Sequence, residues 1–313
     1  MGMTLVEGSK YSNSILQKGV VETIVYDDPI LNRIKFKDIV GNALTYNRET
    51  SVDGAEFYGV NAAWNMKEQG ITPYTATLKI LGSAGELDDF LRKTRSNIND
   101  LKAEIMIGKA KAVQVKFGQR FIYGSATTDP LEFDGLHVLI ASSTYNTILA
   151  DSGDTQTVAL SCSTHLDRLL DMIKGRKADG LLMSKGMRRG LTKYLRSVGA
   201  GATAMKDEFG SLIETYNGLP IWASDHVLDT ELTSSGAFSA STGGLTTSIF
   251  ALSFAEKGVE GIQAGPLEVV PWAPIPGTNK EWCQIRWYPG VMMQSLVASA
   301  KIVGIDADGT VAA

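Results

Sequence analysis

The feature that most constrains this chain is a helical pattern running from Asn97 to Tyr123. Leu101, Ile105, Val113, Phe117 and Phe121 recur near the 3.6-residue period, and Ile98, Met106, Ala110 and Ala112 widen the apolar stripe. Asn97 stands where a cap takes up free backbone N–H groups, with Asp100 three residues on, and Gly124 stands where a left-handed residue ends the helix. Lys102, Lys109, Lys111, Lys116 and Arg120 lie among them and solvate the other side or snorkel. About 26 residues at 1.5 Å each make a rod of roughly 39 Å. An average globular helix is far shorter, so the pattern predicts a structural beam along one side of the molecule.

The rest of the chain is organised around that beam. Residues 1–31 have little periodicity but carry Ile15, Leu16, Val20, Val21, Ile24 and Val25, many for a free tail. They read either as a flexible tail or as an arm ordered by a partner, and the apolar residues support the arm. Strand alternation follows over Asn32–Val40 and again over Tyr74–Ile80, with Tyr74, Ala76, Leu78 and Ile80 on one side. Between these strands lies a glycine-punctuated excursion holding Phe57, Tyr58 and Trp64. If it extends from the body, something else must cover those aromatics, because an isolated hairpin is marginal in water; otherwise it is a ligand lid or a loop folded back on its own domain. Past Gly124, residues 137–150 read as a short strand with irregular structure, and helices are predicted over 164–174 and 184–196. Ala178–Met183 reads as a buried strand, and Asn217-Gly218 as a tight turn between Leu212–Tyr216 and Leu219–Trp222. Ser234–Thr247, rich in Ser, Gly and Thr, reads as a surface loop before a strand at Ser248–Phe254. Alternating short strands and helices suggest a second, α/β-like domain over about 135–275, after which Glu281–Ile305 returns toward the early strands.

Composition narrows the function classes. With 313 residues and 44% apolar side chains the chain can bury a sizeable core. Its 30 Lys plus Arg against 34 Asp plus Glu, a formal charge of −4, argues against a protein whose main task is coating nucleic acid. Cys162 and Cys283 lie far apart and make no disulfide scaffold, so a reducing compartment is expected. No stretch reads as a signal peptide or spanning helix. The three histidines, His137, His165 and His226, show no metal-ligand spacing.

Catalytic motifs are missing too. No phosphate loop, dinucleotide loop, zinc-protease helix or nucleophile elbow occurs. The acid pairs Asp27-Asp28, Asp88-Asp89 and Asp207-Glu208 have nothing beside them to orient a base. Cys162 near His165, or Asp225 beside His226, are the groups on which a soluble hydrolase would be built. Lys185, Arg188, Arg189, Lys193 and Arg196 form the strongest basic cluster, read first as a solvated helix face balanced by Asp207 and Glu208, and otherwise as a phosphate or acidic-neighbour contact.

Arm, excursion, beam, inserted α/β-like domain and strand return, in that order, resemble the major capsid protein of tailed bacteriophages, the HK97-type fold. Asn97–Tyr123 resembles that family's spine helix, and Gly124…Asp129-Pro130…Phe133-Asp134-Gly135-Leu136 its passage into the axial domain. Asp179-Gly180-Leu181-Leu182-Met183-Ser184 is similar to its strand-to-helix unit, and Tyr216-Asn217-Gly218-Leu219-Pro220-Ile221…Ser224-Asp225 to its strand–turn segment. Gly258-Val259-Glu260-Gly261-Ile262 and Tyr288-Pro289-Gly290-Val291 stand where its closing strands stand.

The resemblance implies an α+β, HK97-like capsid fold with four parts. These are an N-terminal arm (1–31), an extended loop (49–72), a peripheral domain with the spine helix (32–48, 73–130 and 276–313) and an axial domain (131–275). It implies a structural protein, not an enzyme, that assembles as pentamers and hexamers into an icosahedral shell around packaged double-stranded DNA. Scaffold, portal and decoration proteins would be its partners, the virion its place and the host cytoplasm its site of assembly, with no membrane. No scaffold-like extension precedes the arm, which implies a separate scaffold or prior cleavage. No catalytic, cofactor-binding or metal residue and no cofactor follow from it. Some members crosslink a loop lysine to a neighbour's asparagine; Lys67 is the lysine of this loop, with no acid and asparagine matched to it. An encapsulin-like compartment shell shares the expected fold and is the alternative, ahead of the Cys/His hydrolase.

Overall fold

The computed structural model describes residues 30–51, 56–64, 70–90, 101–141, 145–150, 159–198, 203–206, 212–234, 237–239, 246–307 and 311–312. Residues 1–29 of the expected arm, the cap at Asn97 with Asp100, Lys67, and Asp207 with Glu208 lie outside these residues.

In chain order the first half carries β1 (Phe36–Asp38), β2 (Ala43–Ser51), β3 (Gly70–Thr77), β4 (Leu81–Asp88) and the long helix α1 (Leu101–Tyr123). A helical turn α2 (Leu136–Leu139), β5 (Thr147–Leu149) and β6 (Leu160–Ser161) follow. A π-helical turn (Cys162–Asp167) then runs into α3 (Arg168–Asp171), before β7 (Gly180–Met183) and helix α4 (Lys185–Ser197). The remainder is strands: β8 (Thr203–Lys206), β9 (Leu212–Tyr216), β10 (Leu219–Ala223), β11 (Leu232–Ser234), β12 (Ala237–Ser239), β13 (Thr246–Leu252) and β14 (Val259–Gln263). The chain ends with β15 (Glu268–Pro274), β16 (Lys280–Trp287), β17 (Pro289–Met293), β18 (Ala300–Asp306) and β19 (Val311–Ala312).

α1 buries Met106, Ala110, Val113, Phe117 and Phe121, a stripe with steps of three and four residues. The stripe packs with Cys283, Ile285 and Trp287 of β16, alternate residues on one face of the three-stranded sheet β15–β16–β4. Phe117 is the hub: its ring centroid lies 4.8 Å from Trp287, 5.7 Å from Phe133, 5.9 Å from Phe121 and 6.1 Å from Phe36. Close approach of helix and sheet needs a glycine on β4, because a Cβ at Gly85 would sit 2.7 Å from the Ile105 Cγ2. Side chains the helix does not bury hold its flanks: Lys102 pairs with Glu281, while Lys116 (3.4 Å) and Arg120 (2.6 Å) meet Glu132.

A mixed seven-stranded sheet, ordered β5–β18–β13–β7–β10–β9–β8, forms the second layer. Its central strands β7 and β13 are buried throughout. Alternate side chains serve two cores. Leu182, Trp222, Phe250 and Leu252 join the core that also holds α1. Leu181, Met183, Ile221, Ile249 and Ala251 face a second core with Leu166, Leu169, Met187 and Leu191 from the π-turn, α3 and α4. Ser184 caps α4 as expected, accepting from the Met187 N–H at 3.1 Å. Asn217 (φ 49°) and Gly218 (φ 78°) form the tight turn, pairing Tyr216 with Leu219.

The sheets cut across the expected domain boundaries. β14 pairs with β1 and β17, so residues 259–263 join the layer of the early strands and not the inserted domain. Conversely, β18 pairs with β13 from Thr246↔Asp306 to Ala251↔Ala300, so 300–306 belong to the seven-stranded sheet and not to the return. A strand buried on both faces carries no alternation that reveals its partner. Ile30 and Leu31 are fully buried in the α1 core, so the body begins before residue 32.

Smaller elements also depart from expectation. The strand at 32–40 is only Phe36–Asp38, and the strand over 74–80 runs Gly70–Thr77, leaving Ile80 out at 81% exposure. Within 137–150 the short strand is β5 at Thr147–Leu149, preceded by the helical turn Leu136–Leu139, and 162–171 begin as a π-turn. Within 234–247, β11 pairs with β12, and Thr246 and Thr247 are buried at the head of β13. Their hydroxyls donate to the carbonyls of Glu231 (2.7 Å) and Leu228 (2.9 Å), which lets polar residues occupy a core strand.

Candidate assembly surface and buried polar cluster

β2 and β3 make a long two-stranded hairpin in register from Ala43↔Thr77 to Ser51↔Gly70. The arms are wider than the expected loop of 49–72. Its root is fastened by Arg48, which is 5% exposed. Arg48 Nη2 donates to the Met293 carbonyl at 2.5 Å, and its guanidinium lies 4.2 Å from the centroid of the Tyr74 ring. Tyr46, stacked on Tyr74 at 6.4 Å, has its hydroxyl pKa raised by burial. Toward the far end the pattern inverts. Phe57 is fully exposed, Trp64 is 78% exposed, and Tyr58 stacks on Trp64 at 4.6 Å. With Val60 these form an apolar surface that the described residues leave uncovered.

A polar cluster sits where α1 ends against the seven-stranded sheet. Glu231 is completely buried. Tyr123, the last residue of α1, donates to its Oε1 at 2.5 Å, and the Ser248 hydroxyl of β13 donates to its Oε2 at 2.5 Å. His137 Nε2 of α2 lies 3.7 Å from Oε1. Lys301 Nζ of β18 donates to the His137 carbonyl at 2.8 Å and is itself 4% exposed. Burial lowers the His137 pKa to about 4 and the Lys301 pKa to about 8. Burial, then the Glu231 charge, raises that of Tyr123 far above the ordinary phenol. Acid, base and hydroxyl stand together here, with Glu231, His137 and Lys301 buried and Tyr123 half-buried. The arrangement ties five segments distant in sequence.

The pairs singled out from sequence do not assemble into catalytic sites. His165 Nδ1 accepts the Ser161 N–H at 2.9 Å, and burial with the Asp167 charge raises the Cys162 thiol pKa, opposite to what a nucleophile needs. Asp225 is taken by Lys185 at 2.5 Å. The His226 ring packs against α1 at Gly118, where a Cβ would lie 2.2 Å from its Cδ2. Arg188, Arg189, Lys193 and Arg196 do gather in space, lining a hollow with Thr192 and Glu214. Among the described residues, no group of three or more His, Cys, Asp and Glu side chains could hold a metal ion, and no helix is long and apolar enough to cross a membrane.

No family model matches the sequence, and no curated protein matches it. Solved structures do match in three dimensions. The SrpI encapsulin of Synechococcus elongatus superposes with a TM-score of 0.65 at 15% identity, covering 88% of this chain and 87% of that one. The capsid of a native GTA particle gives 0.60 at 12% identity, covering 90% of each chain. The capsid of the Myoviridae phage XM1 gives 0.56 at 12% identity, over 85% of this chain and 86% of that one. The superpositions cover nearly the full length of the chain, and its fold is the α+β HK97-type fold of phage capsids and encapsulins.

Proposed function

We propose that this protein is a structural shell subunit, the major capsid protein of an icosahedral particle that encloses double-stranded DNA. The observation that carries the reading is the hairpin. Its root is locked to the body by Arg48, while Phe57, Val60 and Trp64 are held out bare. Such a device gains nothing for a lone subunit and gains burial only against another molecule. At about 25 cal/mol per Å² of apolar surface, each aromatic covered by a neighbour contributes a few kcal/mol. Repeated around a closed shell, many such contacts multiply.

In this reading the hairpin over 43–77 is the extended loop, lying on an adjacent copy. The α1 layer with the sheets of β14 and β16 is the peripheral domain. The seven-stranded sheet with α3 and α4 is the axial domain, meeting its copies around fivefold and sixfold axes. Residues 1–29 serve as the arm. Scaffold, portal and decoration proteins complete the particle, which assembles in the host cytoplasm. The role is structural and uses no cofactor. A compartment shell holding protein cargo is the second reading, supported by the encapsulin superposition at a TM-score of 0.65.

Negative-stain electron microscopy with parallel mass measurement on the purified full chain tests the proposal. Closed shells, or rings of five and six, are expected. A monodisperse monomer that stays monomeric when co-expressed with its neighbouring genes overturns it. Nuclease-protected DNA inside isolated particles supports the capsid reading; a protein cargo supports the compartment.

A further inference from the structure

Lys102, Lys116 and Arg120 of α1 are each met by a carboxylate, whereas one face of α4 is left charged. Arg188, Thr192 and Arg196 stand four residues apart in one column, with Arg189 and Lys193 beside them. Together with Glu214 of β9 they line a hollow of about 340 Å³. Arg189, Lys193 and Arg196 are exposed and Arg188 is half-buried. Among the described residues none of these four cations is in an ion pair, while Lys185, one turn earlier, is taken by Asp225. Glu214 is the carboxylate in the hollow, and its Oε2 accepts the Thr192 hydroxyl at 2.7 Å. Among the described residues, four cations thus face one carboxylate. Their mutual repulsion is a cost to the isolated subunit that an anionic ligand would remove.

We infer that this hollow is a binding site for the phosphodiester backbone of nucleic acid, read without regard to sequence. Three of the four cations are arginines, whose planar forks match phosphate oxygens. Arg188 to Arg196 spans about 12 Å of helix axis at 1.5 Å per residue. That is about three to four phosphate steps of one strand at 3.4 Å each. Among the described residues the lining holds no aromatic to stack on a base and no Asn or Gln to read its edge, which suits contact with the backbone alone. Among the described residues it also holds no apolar side chain, which an acidic protein partner would need as the dry centre of an interface. The inference rests on the shell reading for the identity of its ligand, and places the DNA contact on the α4 face.

The test is fluorescence anisotropy of a labelled 24-base-pair duplex with the purified full chain, at 50 and 200 mM salt. The variant is Arg189→Ala with Lys193→Ala, both exposed, and its melting curve and particle formation are recorded in parallel. Four phosphate contacts predict that affinity falls about 150-fold between the two salts for the parent, and about 12-fold for the variant. Two duplexes of unrelated sequence should bind alike. Equal salt dependence in parent and variant overturns the inference. So does competition by a glutamate decapeptide stronger than by inorganic polyphosphate, which would make the face a protein contact. Loss of particles in the variant with unchanged duplex binding overturns it as well. If the parent binds duplex in this manner yet never forms particles, the shell reading fails and the phosphate site stands.

Discussion

The hairpin and the junction between α1 and the seven-stranded sheet are built on opposite rules. At the junction, buried Glu231 accepts from Tyr123 and Ser248, buried Lys301 donates to the His137 carbonyl, and the buried His137 ring lies with its Nε2 3.7 Å from Glu231 Oε1. At the hairpin's far end, Phe57 and Trp64 stand in solvent. Burying charge is costly and adds little net stability unless every lone pair is met, but it fixes one geometry. Exposing aromatics forgoes stability within the subunit and reserves it for contact with another chain. On the shell reading, the body holds its shape before assembly, and the hairpin's stabilisation waits for a partner. Substitutions in the two regions should accordingly separate folding from assembly.

The largest effect on folding is expected at the aromatic hub. Phe117→Ala removes a ring packed on Trp287, Phe133, Phe121 and Phe36 and leaves a cavity between helix and sheet. A loss of about 3–5 kcal/mol is predicted from urea unfolding of the subunit. A loss under about 1 kcal/mol would show that α1 does not depend on this core.

Next comes the buried cluster. Glu231→Leu strips the acceptor from Tyr123 and Ser248 and leaves the Lys301 charge without its nearby carboxylate. Breaking one side of such a set costs about 3 kcal/mol or more. The double variant Glu231→Leu with Lys301→Met should recover part of it, since the uncompensated charge goes too. No recovery would show that the two groups are not coupled.

The same cluster sets a pH dependence. Burial holds the folded His137 pKa near 4, below the ordinary value of 6.5. Between those values the unfolded chain binds the proton and the folded chain does not. Stability is therefore whole above pH 6.5 and is lost as pH falls through 4, with a slope approaching about 1.4 kcal/mol per pH unit. His137→Gln should flatten that part of the stability–pH curve, on the order of 3 kcal/mol between pH 7 and 4. An unchanged curve would place the titration elsewhere. Lys301 acts at the other end. Its folded pKa near 8 lies below the ordinary 10.5, so its contribution rises from pH 8 to 10.5.

What was legible in the sequence follows from the range of the interactions. α1 was legible because its buried face repeats every three to four residues, and the Asn217-Gly218 turn because two adjacent residues need positive φ. Phe57, Tyr58 and Trp64 were legible as aromatics in search of cover. The buried cluster was not, because Tyr123, His137, Glu231, Ser248 and Lys301 meet only when five segments are folded. Thr246 and Thr247 looked like loop for the same reason: the carbonyls that satisfy them lie 15 and 19 residues away. The place of β18 in the seven-stranded sheet was hidden as well, since its fully apolar run would fit any central position.

The smallest effect on folding is expected at the hairpin's far end, and there it is the most informative. Phe57→Ser with Trp64→Ser removes two exposed rings that touch little of the described body. Exposed substitutions of this kind shift subunit stability by no more than about 0.5 kcal/mol. In a shell, however, each ring would be covered by a neighbour, and the loss at every contact would be counted once per subunit. Each uncovered ring forfeits about 1.5–3 kcal/mol of burial, so two weaken every subunit contact by at least a factor of about 100. The double variant should therefore melt like the parent yet fail to form particles, as read by sedimentation and electron microscopy. Particles at the parent's yield would mean that the hairpin is not an assembly contact. A melting temperature lowered as far as that of Phe117→Ala would mean that the hairpin folds back on its own body, and the division between shape-holding core and partner-seeking hairpin would be lost.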